Sequence, residues 1–314
     1  MSHTFSRRAA LGLFAAAPFM AQIQTAQAQT ATKLDVLASF TVVADFARVI
    51  GGAQVNVTNL VGPGQDSHTY QPRPSDARAA AAAKVMIVNG LGFEGWVERL
   101  ASSAGFKGVP VVATIGVKAL KAGHAGHSHA GHGHGGAGGV EVDPHAWQDV
   151  TNAKIYVGNI RDGLSKADPA NTARYAAATT AYIAQLDRLD AEIRAAWAAI
   201  PRANRRVVTS HDAFTYYGDA YDVDFFAPQG ISTNSEPTPR QLAALIGQIQ
   251  TAQIRALFVE SIANKQVLQQ VARETGARIG PAVYSDALSD ASGPAGSYLT
   301  MMRHNTNSFI AALR

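Results

Sequence analysis

From Asp168 to Pro201 the sequence holds a single helical period, and few folds have room for so long a helix. Tyr175, Tyr182, Leu186, Leu189, Ile193, Trp197 and Ile200 recur at steps of three, four or seven residues. Some ~32 residues at ~1.5 Å rise span ~48 Å, more than the width of a small domain. Asp168 is placed as an N-cap, Pro169 as the first helical residue and Pro201 as the stop. Such a helix is either the core of one large domain or a strut joining two lobes, and we take it as the strut.

The flanking segments carry the same pattern on both sides. Before the helix, the Val- and Ile-rich runs 34–40, 55–61, 84–90 and 109–114 alternate with the helical stretches TVVADFARVIG, RPSDARAAAAA and GFEGWVERLASSAG. After it, RRVVTSH, VDFFAP, RALFVES and IGPAVYSD alternate with DAFTYYGDAYD, TPRQLAALIGQIQTAQ and NKQVLQQVARETGA, and SYLTMMRHNTNSFIAALR closes the chain. Short apolar strands separated by helices predict parallel sheets covered on both faces. The expected fold is therefore α/β, with two lobes, each a mostly parallel sheet flanked by helices, joined by one long backbone helix. The boundaries fall at 29–167 for the first lobe, 168–201 for the linking helix and 202–314 for the second.

Residues 1–28 read as an export signal. Arg7 and Arg8 precede an apolar run, and Ala26-Gln27-Ala28 offers a small-x-small cleavage site. The Ser6-Arg7-Arg8 start fits twin-arginine export as well as the general route. The chain has no cysteine, so no disulfide, thiolate site or cysteine-linked lipid is expected, and the exported protein should be freely soluble. Of 27 Lys and Arg, two lie in this leader, against 23 Asp and Glu. That near balance argues against nucleic acid as a partner. A monomer is expected.

The chemistry lies in the histidines. Between Gly123 and Gly139 stand His124, His127, His129, His132 and His134, spaced by Gly, Ala and Ser. This segment has no apolar face to bury, and its glycines leave each imidazole free to wander, so it suits auxiliary metal capture rather than a rigid site. Three other histidines sit in loops or at predicted strand ends: His68 in DSHTYQPRPSD, His145 in DPHAWQD and His211 in SHDAFTYYG. Ligands of open α/β sheets bind beyond the carboxyl ends of the strands, so these three are placed to converge. A closed tetrahedral site needs a fourth ligand, for which Asp286 is preferred to Asp290 in AVYSDALSD. His304, within the last helix, reads as a surface residue. Glu260, in RALFVES, is expected to hold the far ring nitrogen of a ligating imidazole.

Taken in order, DSHTYQPRPSD, DPHAWQD, SHDAFTYYG and YSDALSD resemble the four signature segments of the cluster A-I, or TroA/ZnuA-like, metal-binding proteins of ABC transporters. The resemblance covers essentially the whole chain after the leader. It implies two lobes around a long helix, with the metal in the interlobe cleft. It also implies that His68 and His145 are ligands from the first lobe and His211 and Asp286 from the second. Manganese-specific members often carry Glu at the third position. Histidine there, and a His-rich loop just before the second ligand, imply Zn²⁺. The resemblance further implies capture in the periplasm and delivery to an ABC-type permease of the inner membrane, with a zinc-donating chaperone as a further partner. Some zinc members lack the aspartate, so Asp286 is the ligand that water should replace most readily.

Three imidazoles and a carboxylate independently suit Zn²⁺, whereas Mn²⁺ favours more oxygen ligands and binds most sites more weakly. The alternatives are a manganese-binding member of the same family, a periplasmic zinc buffer or adhesin, and a metallohydrolase. Neither an HExxH segment nor a nucleophile elbow occurs, and four protein ligands leave no position for an activated water, so an enzyme is not expected.

Overall fold

The computed structural model describes residues 1–3, 32–121 and 142–314. The His-rich segment 123–139, with its five histidines, lies outside the described residues, as does the export signal beyond residue 3. Residues 1–3 have no regular structure, and Thr32–Arg314 form one compact unit. Among the described residues no helix is long and apolar enough to cross a membrane.

The first half runs β1 (Leu34–Ala38), α1 (Thr41–Gly51), β2 (Val55–Asn59), α2 (Pro74–Ala82), β3 (Val85–Val88), α3 (Val97–Ser103) and β4 (Val109–Val112). Two helices follow, α4 (Val150–Ala167) and α5 (Thr172–Ala198). The second half runs β5 (Arg206–Val208), α6 (Thr215–Tyr221), β6 (Asp224–Phe226), α7 (Pro239–Thr251), β7 (Ala256–Leu257), α8 (Lys265–Thr275), β8 (Arg278–Ile279) and α9 (Tyr298–Leu313). The two sheets have the orders β2-β1-β3-β4 and β6-β5-β7-β8, and every pairing within them is parallel. The same winding thus occurs twice, and each sheet reverses its strand order beside its first strand, between β1 and β3 and between β5 and β7. Such switch points open a crevice beyond the carboxyl ends of the strands.

Local signals set several of the helix ends. Thr238 and Gln241 form a capping box ahead of Pro239 at the start of α7, Ser297 and Thr300 do so for α9, and Asn264 caps α8. Gly276 stops α8 at a φ of 73°, a conformation that costs glycine nothing.

The long helix differs from its expected form. Asp168 ends α4, and Pro169 opens a short 3-10 turn, so α5 begins only at Thr172. Its 27 residues reach ~40 Å rather than ~48 Å. The carboxylate of Asp168 accepts from Asn171 Nδ2 and Tyr175 Oη, which fixes the corner between the two helices in place of a helix cap. Helix α4 was not foreseen, although Asp149 caps it through Thr151 N and its buried stripe of Val150, Ala153, Val157, Ile160 and Leu164 is helical in period. It lies close on β4, where a Cβ at Gly163 would stand 2.1 Å from Val111 Cγ2.

Helix α5 buries Tyr175, Tyr182, Leu186, Leu189, Ile193 and Trp197 along one stripe against α1, α4 and α9. Each such side chain contributes ~1.5–3 kcal/mol by leaving water. The resulting core is continuous from Val36 and Ile87 of the first sheet to Val207, Phe258 and Phe309 of the second half. A smaller core of Val208, Leu245, Ile249, Leu257, Leu268 and Val271 fills the other face of the second sheet, under α7 and α8. The helix is therefore not the sole connection between the halves. Thr41 Oγ1 accepts from Leu288 N at 2.8 Å, and Asp45 of α1 accepts from Tyr298 N, the first residue of α9, at 2.8 Å.

Candidate metal centre

Four ligand-type side chains from distant parts of the chain meet at one point. The ligand atoms of His68, His145, His211 and Asp286 all lie within 4.8 Å of one another. Asp286 Oδ2 is 3.3 Å from Nε2 of both His68 and His211, and Oδ1 is 3.5 Å from His145 Nε2. Nε2 of His68 and His145 are 3.3 Å apart. His145, His211 and Asp286 are fully buried, and His68 keeps 5% of its side chain exposed.

Each side chain is delivered by a different feature of the fold. His211 stands three residues beyond β5 and Glu260 three beyond β7, on either side of the second sheet's switch point. His211 N donates to Glu260 Oε1 at 2.8 Å, and Glu260 Oε2 lies 2.6 Å from His211 Nδ1. His145 stands just before the 3-10 turn Ala146–Gln148 that leads into α4, and the preceding Pro144 O accepts from Asn89 Nδ2 just beyond β3. His68 rides a loop after β2 whose Ser67 O accepts from Trp96 Nε1 at 3.0 Å, and its ring meets Phe93 edge-on. Asp286 follows Ser285, whose carbonyl accepts from both Trp147 Nε1 and Gln148 Nε2.

The sequence reading omitted two residues of this site. Asp143 Oδ1 accepts from His145 N at 2.8 Å and lies 2.7 Å from His145 Nδ1. Asp66 Oδ1 accepts from His68 N at 2.8 Å. Both belong to an Asp-x-His triplet, Asp66-Ser67-His68 and Asp143-Pro144-His145, in which the carboxylate turns back on the backbone two residues on. That repetition was the available signal. The remaining candidates fall elsewhere. Asp290 is exposed and outside the cluster. His304 is half-buried rather than a plain surface residue, with Nε2 at 2.8 Å from Ala282 O and its ring on Tyr284.

The arrangement is electrostatically suited to a cation. Carboxylates on Nδ1 of His145 and His211 would hold the proton there and leave Nε2 free for a cation once one is bound. Among the described residues, both oxygens of Asp286 and Nε2 of His211 are buried without a hydrogen-bond partner, and such atoms are costly to leave unmatched. Burial pushes His145 down, but the charges of Asp286 and Asp143 outweigh it and raise its pKa to about 9. His211 is likewise raised well above its ordinary value: burial opposes, and Glu260 and Asp286 prevail. For Asp286, burial raises and the two imidazoles lower, leaving it well below the usual carboxylate range. Both imidazole shifts favour the protonated rings when no metal is bound, and a cation competes with those protons.

Removing Asp143 should therefore cost affinity although it touches no other ligand. Asp143→Ala is expected to weaken metal binding ~10–100-fold, the usual effect of losing a carboxylate behind a ligating imidazole. A competition titration with a chromogenic chelator measures this, and a change within twofold would contradict the role.

Two like parallel sheets around a buried knot of three imidazoles and one carboxylate define a metal-binding protein of the substrate-binding class. Residues 36–312 match the family model described as ZnuA, zinc-uptake complex component A, periplasmic, and the chain belongs to that family of ABC-transporter substrate-binding proteins. It is 33% identical over 281 residues to the manganese-binding lipoprotein MntA of Halalkalibacterium halodurans, covering 89% of this chain and 88% of the relative. It is 33% identical over 309 residues to the iron-binding protein YfeA of Yersinia pestis, covering 96% and 94%. The periplasmic zinc binding protein TroA from Treponema pallidum superposes with a TM-score of 0.81 at 29% identity, covering 90% of this chain and 99% of that one. The fold and the binding of a metal ion are thus common ground, while the metals named for these relatives differ.

Proposed function

We propose that the protein captures Zn²⁺ in the periplasm through His68, His145, His211 and Asp286 and delivers it to an ABC-type permease. The observation that carries this reading is the donor set. A tetrahedral Zn²⁺ with ligands at ~2.0–2.1 Å sets neighbouring ligand atoms ~3.3 Å apart. Four separations among the three imidazoles and the carboxylate stand at 3.3–3.5 Å, close to that spacing, and all the ligand atoms lie within 4.8 Å of one another. Nitrogen-rich sites favour Zn²⁺ over Mn²⁺. The segment 123–139 serves as an auxiliary capture tract that raises the local metal concentration. The absence of cysteine supports a form without a cysteine-linked lipid, unlike the relative named a lipoprotein.

A manganese-binding role is the second reading. Both oxygens of Asp286 face imidazoles, which would allow bidentate binding and a higher coordination number, and relatives are named for manganese and iron. Equilibrium competition between Zn²⁺ and Mn²⁺ for the metal-free protein separates the two. Zinc is expected to displace manganese at equal free concentrations by at least ~100-fold in affinity. Equal affinities, or a preference for manganese, would overturn the zinc assignment.

A further inference from the structure

The two halves are fastened very differently on opposite sides of the candidate centre. On the side of Asp286, Trp147 and Gln148 donate to Ser285 O at 3.0 and 3.1 Å, and Tyr298 Oη donates to Trp147 O at 2.6 Å. Thr41 and Asp45 reach across on the same side to Leu288 and Tyr298. All of these bonds are buried except that of Asp45, which is part-buried. Among the described residues, the loop of His68 is tied to the other half by a hydrogen bond between two half-buried side chains, Thr233 Oγ1 donating to Asp66 Oδ2 at 2.5 Å, while Tyr216 Oη donates to Asp143 O and accepts from Leu120 N nearer to His145. His68 is also the ligand that keeps some exposure, while the other three have none. A cavity of about 220 Å³ opens beside this bond, its lining half polar, with Asp66, Ser210, Gln229, Thr233, Glu236 and Asn264, and half apolar. Ser210 precedes His211 in the chain and Asp66 lies two residues before His68, so the cavity sits beside the segments that carry two of the four ligands.

We infer that metal enters and leaves between the loops 60–70 and 228–238, and that Asp66 and Thr233 form the latch that closes the passage. Asp66 is a positioning residue with two duties. One oxygen fixes the backbone of His68, and the other ties that loop to the opposite half. Breaking the tie frees His68 to swing away while the Asp286 side stays fastened. A hydrogen bond to a charged carboxylate in a half-buried place is strong enough to control a rate, yet weak enough to break without unfolding either half. Thr233 is no ligand, so its loss should act on exchange kinetics more than on equilibrium affinity. The inference rests on the cluster being the metal site.

The test is stopped-flow release of Zn²⁺ from the loaded protein into excess chromogenic chelator. Thr233→Val keeps the shape and removes the donor, and is expected to speed release about tenfold or more. Uptake should speed as well, so the equilibrium constant moves less than either rate. Thr233→Ser restores the hydroxyl and should return to the wild-type rate. Release from Thr233→Val within twofold of wild type, or equal acceleration by Thr233→Ser, would overturn the latch. Because the chain has no cysteine, Asp66→Cys with Thr233→Cys gives a second, cleaner measurement. Oxidised, the double variant should exchange metal far more slowly than the same protein after reduction. Equal exchange in the two states, or failure of the pair to oxidise, would count against this route. A wild-type protein that takes up no tight equivalent of Zn²⁺ would instead refute the functional reading, independently of the latch.

Discussion

Asp286→Ala and His211→Ala are each expected to weaken metal binding roughly 10²- to 10³-fold, with Asp286→Ala at least as damaging as His211→Ala. The sequence alone suggests the opposite order, because water can replace a single carboxylate oxygen. The structure shifts that expectation. Asp286 has no exposure, both its oxygens face imidazoles, and its negative charge faces three rings. Removing one partner of a buried charged cluster costs ~3–5 kcal/mol, and the lower part of that range, ~3–4 kcal/mol, corresponds to this loss of affinity. Removing His211 deletes one nitrogen ligand and also strands Glu260, whose second oxygen faces His211 Nδ1 in a buried place. Chelator competition on both variants, with circular dichroism to establish that each is folded, gives the ranking. A loss below tenfold for Asp286→Ala would remove it from the ligand set.

Chelation should lower the melting temperature by roughly 10 °C, and the gap should widen as pH rises from 6 to 9. A ligand present at a thousand times its dissociation constant stabilises by ~4 kcal/mol, and a domain of this size gains ~2–4 °C per kcal/mol. The pH dependence follows from the protons held in the metal-free cluster. His145 is raised from an ordinary 6.5 to about 9, with burial opposing and the charges of Asp286 and Asp143 prevailing. In the metal-free protein that stabilisation is fully present below ~6.5, and it is lost as pH climbs through about 9. His211 acts in the same direction, and Asp286 remains charged throughout. Metal binding must expel these protons, so affinity grows over the same interval. The metal-free protein should therefore melt lower at pH 9 than at pH 6, and the loaded protein should not follow it down. Thermal melts with and without chelator across this range provide the measurement. Parallel pH profiles would show that the ion does not bind at these imidazoles.

The sequence by itself determined the alternation of strands and helices, the parallel sheets, and the histidines and aspartate that the fold brings together. Those features are local or compositional: apolar period, capping residues, and side chains able to bind a metal. The same local signals described α4, with Asp149 ahead of a helical stripe, but the segment DPHAWQD drew the reading to its histidine and away from the period beyond it. Tertiary structure decided the rest. Asp168 could serve equally as a cap or a corner, and the packing of α4 against α5 made it a corner. The weak strands β7 and β8, two residues each, exist because neighbouring strands and helices hold them. Asp143 and Asp66 look like ordinary loop acids in the sequence. They become parts of the site only when their backbones fold back on His145 and His68, and when Thr233, 167 residues away from Asp66, is brought against it. Hydrogen bonds between residues so far apart leave no periodic trace in a sequence, because the distance they span is closed by the core and not by the chain between them.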